Sequence, residues 1–210
     1  MQFNNILDKI HFCDLNCEGI INDKKNGVPP RCLILEKQPG KNNCIVVGIN
    51  PGIIRKKEQN YYKKNGIDHK VIHEYWEKEI SKVSYYSRTK ELLNCLNFDG
   101  NILWTELVKC QSKSKKIPLQ TLRTCINNWL KKEINLFENQ PIFALGNQAY
   151  EYCALSFPNN TIIGLPHPSG PFSNNKFIKL IKKVKQNPKE YLNKINNNKN
   201  QAIKLDNYTF

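Results

Sequence analysis

Three features of the sequence predict an α/β fold: a single domain with a mostly parallel central sheet and helices on both faces. Short apolar runs rich in β-branched residues alternate with longer segments of helical periodicity. Those runs lack polar alternation, as strands buried on both faces require. The 210 residues are enough for one substantial core and short for two.

Taken in order, Asn4 to Phe12 reads as a helix leading into CDLNC, and the polar stretch from Gly19 to Pro30 reads as a loop. CLILEK and CIVVGI, joined by a PGKNN turn, read as strands, the second of them buried. After Gly52 comes a charged connection that contains Tyr61 and Tyr62. His69 to Ile80 places Val71, Ile72, Trp76 and Ile80 at helical spacing, and Ser87 to Leu96 makes another helix. Asn101 to Val108 starts as an apolar strand through Ile102, Leu103 and Trp104. Leu119 to Phe137 carries Leu122, Ile126, Trp129, Leu130, Ile134 and Leu136 near helical spacing and reads as an amphipathic helix. PIFALG is a short buried strand, NQAYEYCAL turns back into helix, and TIIGLP is a last strand before HPSG. Phe177 to Val184 is a basic amphipathic helix. From about residue 188 to 210 the Asn/Lys-rich composition predicts a polar tail, with Tyr191, Leu192 and Ile195 as its possible anchors.

Lys and Arg number 32 against 18 Asp and Glu, a formal charge of +14. That excess favours a polyanionic partner, nucleic acid before all, because basic side chains release counterions condensed on phosphates. The plainer alternative is a solvated basic surface. No apolar run is long enough to cross a bilayer, and the opening MQFNNILDKIHFC lacks the pattern of a signal peptide. An intracellular protein, with no membrane partner, is therefore expected. Its eight cysteines are then ligands or core residues rather than four disulfides.

In a parallel sheet, ligands gather beyond the carboxyl ends of the strands. Asn50, Glu106, Gly146 and His167 all fall at or just after a predicted strand end. GINPG, residues 48–52, has neither the glycine spacing of a dinucleotide loop nor the Gly-Lys-Ser/Thr of a P-loop. Turn chemistry explains part of it, since Asn tolerates turn geometry and Gly52 permits positive φ. In HPSG, His167 can donate to developing charge, Pro168 stiffens the turn, and Ser169 with the following N–H groups suits a phosphate.

These residues resemble the uracil-DNA glycosylase superfamily. GINPG matches the first motif of its mismatch-specific and single-strand-selective branches, and His167-Pro168-Ser169 matches its second, HPS. The order between them also fits: strand, LVKC, helix, ALG-x-x-A, strand. The resemblance covers about residues 13 to 185. It implies a monofunctional DNA glycosylase of base excision repair, acting as a monomer, that hydrolyses the N-glycosidic bond of uracil or a related deaminated base in DNA. Asn50 would hold the attacking water, and His167 would hydrogen-bond the base oxygen as charge gathers there. Gly48 and Ile49 would adjoin the base. Tyr85 in SYYSRTKELL matches the stacking aromatic of the iron–sulfur branch, with Tyr86 second and Tyr61 and Tyr62 as rivals. Gly52, Ser169 and Gly170 would meet DNA, with Pro171 and Phe172 as wedge candidates. All this requires Asn50 and His167 to act on one base. The alternatives are a non-catalytic iron–sulfur protein of the same fold that binds DNA or senses damage, and an unrelated α/β enzyme.

Two features depart from the iron–sulfur branch. Where that branch has TNVVKC, this chain has TELVKC, so Glu106 takes the place of the asparagine that reads the base. Ionised Glu only accepts, whereas Asn also donates. Three readings stay open: a protonated Glu106 reading uracil, a different or broader base preference, and a side chain turned away, for instance to a nearby Lys. The cysteines are the other departure. Cys110 and Cys125 resemble the third and fourth ligands of a 4Fe-4S cluster, but the first pair, Cys13 and Cys17, is spaced C-x-x-x-C rather than C-x-x-C. Zinc or no metal at all are the alternatives. Cys32 is a reserve ligand, and Cys44, Cys95 and Cys153 read as core. Lys109, Lys113, Lys115, Lys116 and Arg123, together with Lys179, Lys182, Lys183 and Lys185, are candidate phosphate contacts.

Overall fold

Strands and helices alternate as the sequence predicts through residues 2–31, 34–114, 116–170 and 173–206, which this computed structural model describes. In chain order they are α1 (Gln2–His11), β1 (Ile20–Ile21), β2 (Ile34–Glu36), β3 (Cys44–Gly48), α2 (Lys56–Asn65), α3 (His69–Tyr75), α4 (Ser84–Cys95), β4 (Ile102–Glu106) and β5 (Gln111–Ser112). Then follow α5 (Leu119–Cys125), α6 (Lys131–Asn135), β6 (Ile142–Leu145), α7 (Asn147–Ser156), β7 (Ile162–Leu165), α8 (Asn174–Gln186), α9 (Pro188–Asn197) and β8 (Ala202–Lys204).

The main sheet has six strands in the order β2-β4-β3-β6-β7-β8. From β3 to β8 the pairings are parallel, with Ile45 opposite Ile142, Phe143 opposite Ile163 and Ile163 opposite Ile203. Every residue of β3, β4, β6 and β7 is buried, which explains why these runs show no polar alternation. The fold is α/β with a mostly parallel central sheet flanked by helices, as predicted.

The chain packs as two compact units. One comprises Met1–Ile34, Ile49–Ile80 and Thr105–Glu138, the other Leu35–Gly48, Ser81–Trp104 and Asn139–Phe210. In the second unit α7 packs on β6 and β7. Two glycines make that possible. Gly146, at φ +89°, turns the strand into the helix, a conformation L side chains rarely adopt. Gly164 leaves room for the ring of Tyr150, which would lie 2.7 Å from an added Cβ. In the first unit β1 pairs antiparallel with β5. Tyr62 on α2, Ile72 and Tyr75 on α3, and Trp76 directly after it are buried.

The structure departs from the sequence reading in three places. The connection after Gly52 contains a helix, α2, of which only Glu58 and Tyr62 are buried. Such a narrow stripe gives no readable periodicity. The long helix predicted over 69–80 ends in a π-helical turn, Trp76–Ile80, and the one predicted over 119–137 is interrupted by another, Ile126–Leu130. And the expected polar tail is ordered secondary structure through Lys204. Pro188 starts α9 at a position where its missing N–H costs nothing, Ile195 is buried, and β8 joins the sheet beside β7. Among the described residues, no helix is long and apolar enough to cross a membrane.

If α9 is an integral layer, Ile195→Ala should destabilise the protein by about 2–5 kcal/mol in urea denaturation. A loss under about 0.5 kcal/mol, typical of surface positions, would show instead that the segment is peripheral.

Candidate functional site

In the first unit, Asn50 follows β3 by two residues and is half-buried. Its Nδ2 donates to the Pro51 carbonyl oxygen at 2.9 Å and to Ser112 Oγ at 3.4 Å. With the amide nitrogen so used, Oδ1 is the acceptor the side chain offers. The loop around it is fixed by the segment that follows β4. Val108 N–H donates to Ile49 O at 3.0 Å, and Ile54 N–H to Gln111 Oε1 at 2.7 Å. Arg31 completes the clamp: its guanidinium bonds the Gly52 carbonyl and Glu58 Oε1, the latter at 2.6 Å. Gly52 itself does not have positive φ, and a Cβ there would meet nothing within 4 Å. Turn geometry therefore does not explain this glycine.

In the second unit, His167 follows β7 by two residues. The Ser169 N–H donates to its Nδ1 at 3.3 Å. An Nδ1 that accepts places the proton of the neutral ring on Nε2, which is then a donor. Burial lowers the pKa of His167 below its ordinary value and so favours that neutral form. The turn is braced by Ser173 Oγ donating to the His167 carbonyl at 2.7 Å, and by Arg88 Nη1 donating to the Pro168 carbonyl at 3.0 Å. One helical turn before Arg88 on α4 lies Tyr85, whose ring centroid is 5.4 Å from that of His167. Of its rivals, Tyr86 packs edge-on against Trp104, Tyr61 bonds Glu74, and Tyr62 is buried among Tyr61 and Tyr75. Gly48 is buried at the end of β3, Ile49 is half-buried, Ser169 is exposed and Gly170 half-buried. Pro171, Phe172, Lys115 and Cys32 lie outside the described residues.

Glu106 closes β4 in the first unit and is 8% exposed. Its Oε2 is buried with no hydrogen-bond partner. Desolvation pushes its pKa up to about 8, against the pull of Lys109 and Arg31. Lys109 does not neutralise it. The ammonium gives its three protons to Thr105 Oγ1 at 2.7 Å, the Glu106 main-chain oxygen at 2.6 Å and Glu133 Oε2 at 2.7 Å. Nor does Lys109 face phosphate, as the sequence reading expected, since it is 1% exposed. Lys113, Lys116 and Arg123 are exposed, as are Lys179, Lys182, Lys183 and Lys185. Lys183 and Lys185 are paired with Asp206 and Glu91.

Cys13, Cys17, Cys110 and Cys125 are free thiols lining one small cavity, with Val108, Lys109 and Trp129 among its other walls. Burial pushes up the thiols of Cys110 and, to about 11, Cys125; neighbouring cysteines push Cys110 further the same way. The Lys109 N–H points at Cys125 Sγ from 3.3 Å, as a donor to a ligating thiolate would. Among the described residues, no three His, Cys, Asp or Glu side chains stand close enough together to hold one metal ion. The C-x-x-x-C spacing leaves Cys13 and Cys17 lining the same cavity as Cys110 and Cys125. Cys44 and Cys153 are buried core residues.

A model of the Uracil DNA glycosylase superfamily matches residues 37–196. The chain belongs to that superfamily. No curated protein matches it. The superfamily match spans Asn50, Tyr85, Glu106 and His167, and leaves out Cys13, Cys17 and Arg31. Sequence reasoning missed the groups that hold the two motifs: Arg31, Gln111 and Ser112 around Asn50, and Arg88 beneath the HPS turn. For Glu133 there was a signal, because a carboxylate falls on the apolar stripe of Ile126, Leu130 and Ile134.

Removing Lys109 alone strands Glu133 in the core, so Lys109→Met should cost about 3–5 kcal/mol in urea denaturation. The double change Lys109→Met with Glu133→Leu should recover most of that loss, and a double mutant as unstable as the single would refute the pairing.

Proposed function

We propose that this member of the uracil-DNA glycosylase superfamily is a monofunctional DNA glycosylase that removes uracil or a related deaminated base by water attack, leaving an abasic site. The observation that carries this reading is the hydrogen-bonding state of His167. A neutral ring with its proton on Nε2 is a donor suited to a base oxygen on which charge develops as the glycosidic bond breaks. Asn50 complements it. An amide is too weak a base to generate hydroxide, but a loosely bonded, cation-like sugar chiefly needs a placed water, and with Nδ2 engaged Oδ1 is left to accept from one. Tyr85 serves as the stacking platform, and Gly48, Ile49 and Glu106 take the remaining contacts to the base.

DNA contact falls to Gly52, Ser169, Gly170 and Phe172. The open space at Gly52 supports this, because neither fold nor turn requires a glycine there, whereas close approach of a nucleic-acid backbone would. The exposed lysines supply affinity without sequence information. For the cysteines we favour the arrangement of the iron–sulfur branch, with Cys13, Cys17, Cys110 and Cys125 holding a 4Fe-4S cluster. All four line one cavity, and four cysteine thiolates are the ligand set such a cluster takes. When bound, the cluster would cross-link the N-terminus to the segment after β4 and take no part in bond cleavage.

Glu106, where a reading asparagine is usual, favours a second reading: a non-catalytic member that binds DNA or senses damage. A screen of single- and double-stranded oligonucleotides carrying uracil, hypoxanthine or other damaged bases separates the two. The glycosylase reading expects alkali-labile product that falls about 100-fold or more with Asn50→Ala. Tight binding with no product from any base would establish the second. Because burial lowers the pKa of His167, kcat/KM should stay level as pH falls through 6.5 and drop only at lower pH, where a protonated Nδ1 would face the Ser169 N–H. Protein purified without oxygen should contain iron and sulfide, and Cys110→Ser should lose both and melt at lower temperature. A wild-type preparation without either would reject the cluster.

A further inference from the structure

Glu106 offers more than a place in the motif. We propose that it works as a neutral carboxylic acid whose O–H and carbonyl together read the adjacent C=O and N–H of a lactam edge, the feature shared by uracil and hypoxanthine, and that ionisation of the carboxyl abolishes this reading. The inference deepens the glycosylase reading and rests on it for the identity of the ligand.

Three observations carry it. First, Oε2 is buried and without a partner at the carboxyl end of β4, where an open α/β sheet places its ligands. A buried polar atom without a partner is costly unless something completes it. Second, the charged groups around it are committed elsewhere. Lys109 gives its protons to Thr105, Glu133 and a main-chain oxygen, Arg31 bonds Glu58 and the Gly52 carbonyl, and Glu133 is a further negative neighbour that opposes ionisation. Third, desolvation raises the pKa of the carboxyl to about 8 although Lys109 and Arg31 pull it down. A neutral carboxyl then presents a donor beside an acceptor in one plane, as the asparagine of related enzymes does. A carboxylate would still accept from the ring N–H, but it would face the neighbouring carbonyl with like partial charge.

The same proton state has a consequence for stability. Above pH 4.5 the unfolded chain releases this proton while the folded protein retains it until about pH 8. The folded state therefore binds more protons across that window, and stability falls as pH rises through it. Glu106→Gln removes that penalty, so its stability advantage over wild type should grow from pH 4.5 to 8.

The decisive experiment compares wild type, Glu106→Ala and Glu106→Gln from pH 5 to 10. The substrates are oligonucleotides with uracil, hypoxanthine or cytosine. Wild-type kcat/KM for uracil should fall about tenfold per pH unit above pH 8. Glu106→Ala should lose at least about 100-fold at neutral pH, as a site built to hydrogen-bond its ligand does when the group is removed. Glu106→Gln should restore part of that loss and show no alkaline decline. An alkaline decline unchanged in Glu106→Gln overturns the inference while leaving the glycosylase reading intact. If wild type excises no base, that reading fails, and the inference is judged by binding. Binding of uracil-containing DNA that weakens above pH 8 in wild type but not in Glu106→Gln supports it. A pH dependence of binding that is the same in both proteins, or absent from both, overturns it.

Discussion

The fixed point of the first unit is the buried ammonium of Lys109. It saturates three acceptors, ties α6 to the end of β4 through Glu133, and holds the Glu106 main-chain oxygen. Its own N–H points to Cys125 Sγ, and its carbonyl accepts the Arg31 N–H at 2.7 Å. One residue thus touches the strand end, the cysteine cavity and the arginine that grips the Asn50 loop. An ammonium without this full set of partners could not be kept in such a place, because its desolvation would exceed what one carboxylate returns. The exposed ion pairs, such as Lys57 with Glu79, contribute little by comparison.

That arrangement makes the cysteine segment a template for the motif loop. Residues 108–112 supply the amide of Val108 and the hydroxyl of Ser112 to the GINPG loop, and the side-chain oxygen of Gln111 to Ile54 just beyond it, with Cys110 in their midst. Whatever holds Cys110 also holds the frame on which Asn50 is set. A cluster of the kind proposed would act on the reaction only through such rigidity, which is consistent with ligands far from the chemistry in type and in role.

Legibility in the sequence followed periodicity and local motif. Buried strands such as Cys44–Gly48 and Ile162–Leu165 announced themselves, because four or five apolar residues between turn signals have few other uses. That Asn50 and His167 each stand just past a strand end was legible for the same reason. What could not be read was long-range pairing. Nothing local to LVKC tells that its lysine is buried rather than facing phosphate, since the answer lies with Glu133, 24 residues away. The helix Lys56–Asn65 hid for a related reason, having just two buried residues. The strand Ala202–Lys204 is too short for a pattern and exists because β7 offers it an edge. Even the turn chemistry assigned to Gly52 was a local argument that the backbone does not use.

Charge is divided in an instructive way. The surface carries the excess that gives the chain +14, yet the groups proposed for the reaction are an amide, an imidazole whose pKa burial lowers and a carboxyl whose pKa burial raises. Breaking an N-glycosidic bond moves negative charge onto the ring that leaves. A carboxylate beside that ring would oppose the movement, and in a dry environment it would do so strongly. An asparagine avoids the difficulty by having no charge to lose. A glutamate can stand in the same place only if its surroundings refuse to ionise it, which requires burial and the absence of a donating cation. Lys109, turned toward Glu133, meets the second requirement. On this view the lysine's choice of partner keeps Glu106 compatible with a departing anion, so that the buried ion pair and the chemistry of the strand end form one electrostatic design.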